Sequence, residues 1–104
     1  MKLSIPLQKN HRMNMWTKIF LLALSNLKYG NLKLSIDGDY HFISGKFSGP
    51  DADLIIENKD IIKKILIEGS IAFGEEYVNG NIKTSNLEDL LIYFAFNNDE
   101  AEKI

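Results

Sequence analysis

The adjacent acidic residues Glu75 and Glu76 are the pair whose chemical type could support acid–base catalysis. On a helix, neighbouring side chains point about 100° apart, so two adjacent carboxylates do not converge on one substrate. We therefore interpret them as a solvated polar edge of a short helix. His11 and His41 lie in separate segments without an acidic or histidine partner at ligand spacing, and we expect no metal site.

The glycine and cysteine content gives no support to cofactor chemistry. No two of the seven glycines stand at G-x-G spacing, which a dinucleotide or S-adenosylmethionine loop would need. A phosphate-cradling G-K-S/T motif is also absent. The chain has no cysteine, which excludes thiol catalysis and is compatible with a reducing compartment. We predict that the chain uses no cofactor, has no catalytic residue and is not an enzyme.

The charge balance and the longest apolar run exclude two further classes of function. The formal net charge is −2, from 12 basic and 14 acidic residues, and no basic stripe is present, so we expect no nucleic-acid partner. The longest apolar run covers residues 19–24, whereas a membrane-spanning helix needs about 20 residues. We predict a cytoplasmic protein without a transmembrane segment. This prediction is compatible with peripheral contact with a membrane.

Apolar spacing predicts several helices that must position any binding site. The first, over residues 13–27, carries more apolar residues than one contact with a sheet requires. We expect one side of it to meet a partner or a second copy through Trp16, Phe20 and Leu24. Asn58 and Gly69 are typical of the start and the stop of a second helix. Residues 85–88 resemble a capping box that opens the last helix.

Alternating apolar and polar residues predict strands over residues 32–37, 40–46 and 53–57, with a short extended piece over 81–84. Asp37-Gly38 and residues 48–51 are turn signals, and they suggest an antiparallel meander. We predict an α+β fold, in which an antiparallel sheet of about four to five strands is covered by helices. The predicted boundaries are a lead-in (1–12), one domain (13–97) and a polar tail (98–104).

The segment over residues 69–87 carries a family resemblance. Its sequence runs from Gly69 through Phe73-Gly74-Glu75-Glu76-Tyr77-Val78-Asn79-Gly80-Asn81-Ile82 to Leu87. It resembles the N-terminal domain of the cyclopropane-fatty-acyl-phospholipid synthase family, with its F-G-E-A-Y, hydrophobic residue, D-G-D-W and leucine-rich helix. The strands and the Gly49-Pro50 turn before it fit the same arrangement. Asn79 and Asn81 stand in place of the usual aspartates, and Ile82 stands in place of the tryptophan.

This resemblance implies a relationship to a lipid-modifying enzyme without its chemistry, because the family's methyltransferase domain follows the part that this chain matches. It implies a non-catalytic module that binds a lipid or a fatty acyl chain. The alternative is an accessory subunit or dimerising module that docks a separate methyltransferase. The lipid-binding residues that we expect are Phe73, Tyr77, Val78, Ile82, Leu91 and Phe94.

A more distant similarity is to sterol carrier protein 2, and it rests on the order of elements and on a few positions. Phe73, Gly80, Ile82 and the pair Leu90-Leu91 occupy comparable places in that family. The similarity implies a sterol carrier protein 2-like fold, in which helices and a sheet enclose an apolar tunnel.

Overall fold

The computed structural model describes residues 14–98, so the predicted lead-in, His11 and residues 99–104 lie outside the described part. A 3-10 turn at Lys59–Ile61 precedes the second helix. The helices are α1 (Met15–Ser25), α2 (Ile62–Glu68), α3 (Ser70–Val78) and α4 (Leu87–Phe96). The strands are β1 (Tyr29–Ile36), β2 (Asp39–Ser44), β3 (Phe47–Ile56) and β4 (Ile82–Lys83).

The described strands form one four-stranded sheet in the order β2-β1-β3-β4. Together with the helices it gives the predicted α+β class. The pairs β1–β2 and β3–β4 are antiparallel, as expected. The pair β1–β3 is parallel, with Leu34 opposite Leu54. The sheet is therefore mixed, and the prediction of an antiparallel meander is wrong for its central pair.

The parallel pair is made possible by a tight crossing in which the chain leaves β2, passes the start of β1 and enters β3. At this crossing Gly45 donates its N–H to the Gly30 carbonyl, and Phe47 donates its N–H to the Lys28 carbonyl. A Cβ atom on Gly45 would lie 2.4 Å from the Lys28 carbonyl oxygen. A Cβ atom on Gly30 would lie 1.9 Å from the Pro50 carbonyl oxygen. Glycine at these positions is what lets the two backbones pass.

The predicted turn over residues 48–51 lies inside β3 and is not a turn. Asp37-Gly38 does form the predicted turn, with positive φ at both residues. Proline is tolerated at position 50 because β4 pairs with β3 only at Ile55 and Ile56, so the sheet has no described partner on that side of Pro50. Gly49 and Pro50 therefore lie in β3 beside Gly30, at the crossing, and do not form a turn.

The core lies between the helices and one face of the sheet. The strand residues that face it are buried, and α4 packs chiefly on β3. Its largest members are Leu24, Leu32, Leu34, Leu54, Ile56, Ile62, Ile82, Leu90 and Tyr93. Side chains of the opposite face, among them Lys33, Tyr40 and Phe42, are exposed to solvent. Within residues 14–98 the domain thus has two layers, and one sheet face is open.

Asparagine side chains cap the N-termini of three helical segments. Asn14, Asn58 and Asn86 each accept a hydrogen bond from a backbone N–H of the first turn. The predicted capping box at residues 85–88 is therefore wrong by one position. The Ser85 backbone N–H and hydroxyl both donate to the Asp53 carboxylate instead. These bonds attach the start of α4 to β3, and the Ser85 hydroxyl is the first cause of the lowered pKa of Asp53.

Asn97 ends α4 and joins it to the start of β1. Its Oδ1 accepts from the backbone N–H groups of Lys28 and Tyr29, both at 2.9 Å. Its Nδ2 donates to the carbonyls of Tyr29 and Tyr93 at 3.0 and 2.9 Å. The side chain is buried and all its amide groups are used, so this residue fixes the last turn of α4 against the sheet.

Candidate functional site

Helix α3 is separated from its neighbours by glycines on both sides. Gly69, with φ of 69°, ends α2 and precedes Ser70, and the backbone after α3 turns at Gly80 with φ of 85°. Ala72 and Glu76, one turn apart, form the buried side of α3. Phe73 lies beside Ala72 along the helix and is half-buried, which places its ring at the edge of the core.

Helix α4 has a matching arrangement. Leu90 and Tyr93 are buried against the sheet. Phe94, next to Tyr93, is half-buried, and Leu91, three residues before Phe94, is 53% exposed. Leu91 and Phe94 therefore share the flank of the helix at the edge of the core.

The two helices meet through aromatic rings. The Phe73 and Phe94 rings lie edge to face, with centroids 6.0 Å apart and planes at 79°. The Phe94 ring also contacts Tyr93 edge to face, with centroids 5.5 Å apart. Tyr77 follows Phe73 by one turn and is 37% exposed. We refer to Phe73, Tyr77, Leu91 and Phe94 as the α3–α4 surface.

Two of the six predicted lipid-binding residues do not belong to this surface. Ile82 is fully buried and pairs with Ile56 across β3 and β4, so it is a core residue and lies outside this exposed surface. Val78 is exposed at the end of α3, but it follows Phe73 by five residues and therefore lies on a different side of the helix from Phe73 and Tyr77. The sequence pattern placed Ile82 and Val78 with the other four residues because they are close along the chain. In the structure the six residues differ in burial and do not form one surface.

On the buried side of α3, Glu76 joins α2, α3 and the start of β4. Its carboxylate accepts a 2.7 Å hydrogen bond from Asn81 and lies 3.4 Å from the Lys64 ammonium. Lys64 also forms a 3.0 Å ion pair with Glu75. The interpretation of Glu75 and Glu76 as a solvated edge is therefore wrong for Glu76, which is 6% exposed. The hydrogen bond from Asn81 is the first cause of its lowered pKa, and Lys64 adds to it.

The Asn81 amide donates to the Glu76 carboxylate, which an ionised aspartate at position 81 could not do.

The predicted partner interface on α1 falls mostly in the core. Phe20 and Leu24 are buried, so they are not available to a partner. Trp16 is half-buried, and the Lys63 ammonium lies over its ring, 5.4 Å from the ring centroid. The outward side of α1 instead carries Met15, Ile19 and Leu22, which are all exposed and follow i, i+4, i+7 spacing. The helix has two apolar sides, and the sequence alone does not tell which one faces inward.

The polar side chains of residues 14–98 form no group of three or more His, Cys, Asp or Glu residues that could hold a metal ion. In the same part of the chain, no helix is both long and apolar enough to cross a bilayer. A scan against protein-family models, a search of curated proteins and a search of solved structures each found no match to this chain.

Proposed function

We propose that this chain is a non-catalytic module that binds a lipid acyl chain at the α3–α4 surface. The observation that carries the proposal is the Phe73–Phe94 contact, at which two aromatic rings reach the surface beside exposed Leu91. Exposed apolar residues that adjoin a half-buried aromatic pair are typical of surfaces that bind an apolar ligand. The resemblance to the cyclopropane-fatty-acyl-phospholipid synthase family points to the same ligand class.

Burial of an acyl tail would supply the binding free energy. Each methylene removed from water contributes about 0.8 kcal/mol, and a micromolar dissociation constant corresponds to about 8 kcal/mol, so roughly ten methylenes of a long acyl chain must be buried to reach it. Lys64 is the basic residue of α2 that faces α3, and its ammonium is already engaged by Glu75 and Glu76. We therefore expect weak selection among head groups and a preference set by the acyl chain.

Native mass spectrometry of the purified protein, followed by lipid extraction of the same sample, tests the proposal. We expect a species that carries a fatty acid or phospholipid, or one that takes up oleic acid when it is added. A protein that stays free of lipid after such a challenge would contradict acyl-chain binding.

A second candidate function is docking to a separately encoded lipid-modifying methyltransferase. The observation that favours it is the exposed stripe of Met15, Ile19 and Leu22 on α1, because an amphipathic helix with apolar residues on its outer side suits a protein groove. Leu22→Asp should weaken such docking and leave acyl-chain binding unchanged. Isothermal titration of a candidate methyltransferase with the wild-type and Leu22→Asp chains measures the difference, and equal affinities would contradict docking through α1.

A further inference from the structure

Asn79 and Gly80 form the sole Asn-Gly pair of the chain. Asn79 is the exposed C-cap residue of α3, and Gly80 follows it in the turn that leads to β4. The backbone nitrogen of a glycine can attack the side-chain amide of the asparagine before it, because no Cβ atom hinders the approach. A Cβ atom on Gly80 would meet nothing within 4 Å, so the turn is open to water. The pair is therefore a candidate for spontaneous covalent modification.

The folded backbone holds the two reacting atoms apart. Asn79 keeps helical geometry, with φ of −75° and ψ of −6°. The Gly80 N–H donates a 3.1 Å hydrogen bond to the Tyr77 carbonyl. At this ψ the Gly80 nitrogen lies on the side of the Asn79 backbone nitrogen, whereas ring closure needs it on the side of the Asn79 Cβ. The last turn of α3 must therefore open before the ring can form, and exposed helix ends open at low free-energy cost.

We propose that Asn79 converts spontaneously to a mixture of isoaspartate and aspartate, at a rate set by the opening of the α3 C-terminus. The Gly80 nitrogen forms a bond to the Asn79 Cγ, and the side-chain nitrogen takes up the Gly80 proton and leaves as ammonia. Water then opens the cyclic imide. Cleavage at the main-chain carbonyl gives isoaspartate, and cleavage at the Cγ carbonyl gives aspartate. Water is the one other reactant, and the inference is independent of acyl-chain binding.

Isoaspartate lengthens the main chain by one atom directly before the contact that joins α3 to β4. The Asn81 N–H donates to the Glu76 carbonyl at 2.9 Å, and the Asn81 side chain donates to the Glu76 carboxylate at 2.7 Å. Both bonds depend on the short path from Asn79 through Gly80 to Asn81. We expect isoaspartate to weaken them, whereas aspartate keeps the ordinary backbone and leaves them in place.

Peptide mapping by mass spectrometry of the purified chain, aged in mildly alkaline buffer, tests the proposal and distinguishes isoaspartate from aspartate. Asn26 is a matched internal control, because it is the exposed C-cap of α1 with φ of −86° and ψ of −5° but precedes Leu27. We expect Asn79 to convert at least about tenfold faster than Asn26. Asn79→Gln should prevent conversion, because the longer side chain closes a ring far more slowly. Equal conversion of Asn79 and Asn26, or none at Asn79, would overturn the proposal.

Two further comparisons test the role of helix opening and the effect of the product. Conversion should be faster in the urea-unfolded chain than in the folded chain, because no hydrogen bond then holds the Gly80 nitrogen. Equal rates would overturn the control by helix opening. Aged protein that contains isoaspartate should unfold at a lower urea concentration than Asn79→Asp, which carries the same charge on an ordinary backbone. Equal unfolding of these two proteins would overturn the proposed effect on the contact between α3 and β4.

Discussion

The Asn81 side-chain amide donates a 2.7 Å hydrogen bond to the carboxylate of Glu76, which α3 presents to the domain interior. The bond joins the start of β4 to α3 and so holds the helix that carries Phe73 and Tyr77. Lys64 reaches the same carboxylate from α2. The helix that supplies Phe73 and Tyr77 to the α3–α4 surface is therefore held by a polar contact to α2 and to the start of β4.

The first prediction concerns the pH dependence of this contact. Since the folded-state pKa of Glu76 is lowered, Glu76 contributes stability above its ordinary pKa, and this stability is lost as the pH falls through the lowered value. Asn81→Asp replaces the donor with a second carboxylate, so it should destabilise the domain at neutral pH. The difference from wild type should shrink below about pH 4, where carboxylates become protonated.

Urea unfolding of both proteins from pH 7 to pH 3 measures this difference. Asn79→Asp is the matched control, because Asn79 is exposed and stands two residues away. It should show little change across the range. An Asn81→Asp penalty that is constant with pH would contradict the ionic origin of the effect.

The second prediction concerns Asn97. Asn97→Ala removes the acceptor of the partly buried Lys28 and Tyr29 N–H groups and the buried donor to the Tyr93 carbonyl, and the loss of such partners costs about 1–3 kcal/mol. We expect a loss of about 3 kcal/mol in the free energy of unfolding, measured by urea denaturation. The exposed Asn79→Ala should change it by less than about 0.5 kcal/mol. Equal effects of the two substitutions would show that Asn97 does not fix α4 to β1.

The third prediction contrasts two glycines. Gly30→Ala would put a methyl group against the Pro50 carbonyl at a residue with positive φ, so it should abolish the crossing and unfold the domain. Gly74 lies inside α3, where an added Cβ meets nothing within 4 Å. Gly74→Ala should therefore stabilise the domain by up to about 1 kcal/mol. Thermal unfolding separates the two outcomes, and a folded Gly30→Ala protein would contradict the account of the crossing.

Local patterns in the sequence predicted the elements well, because each depends on nearby residues. The apolar spacing of α1, the Asp37-Gly38 turn and the Asn58 cap are all present in the structure. The order of the strands could not be predicted in this way. The alternation of apolar and polar residues indicates that Leu34 and Leu54 each lie on the buried face of a strand. It does not indicate that their two strands are parallel neighbours. That pairing depends on a close approach of Gly30 to Pro50, which are distant in sequence.

The residues of the candidate site could likewise be predicted only as far as local spacing determines them. Phe73 and Phe94 are both among the lipid-binding residues expected from the sequence, and their rings are in contact in the structure. That they bind a lipid stays a prediction. Local spacing could not tell that Ile82 is buried, because β4 joins the sheet through β3, a strand more than twenty residues earlier. It also selected the inward side of α1, since both sides of that helix are apolar. Only the structure shows that Leu22 lies on the exposed side of α1.

The measurement that tests acyl-chain binding most directly is a fluorescent fatty-acid titration of three proteins: wild type, Leu91→Asp and Leu22→Asp. Leu91 and Leu22 are 53% and 69% exposed on helical surfaces, so neither substitution should unfold the domain. The account predicts that Leu91→Asp weakens binding at least about tenfold, because a carboxylate beside the Phe94 ring disfavours an apolar ligand, while Leu22→Asp binds as wild type does. Equal binding by all three proteins, or no binding by wild type, would contradict a lipid site at the α3–α4 surface.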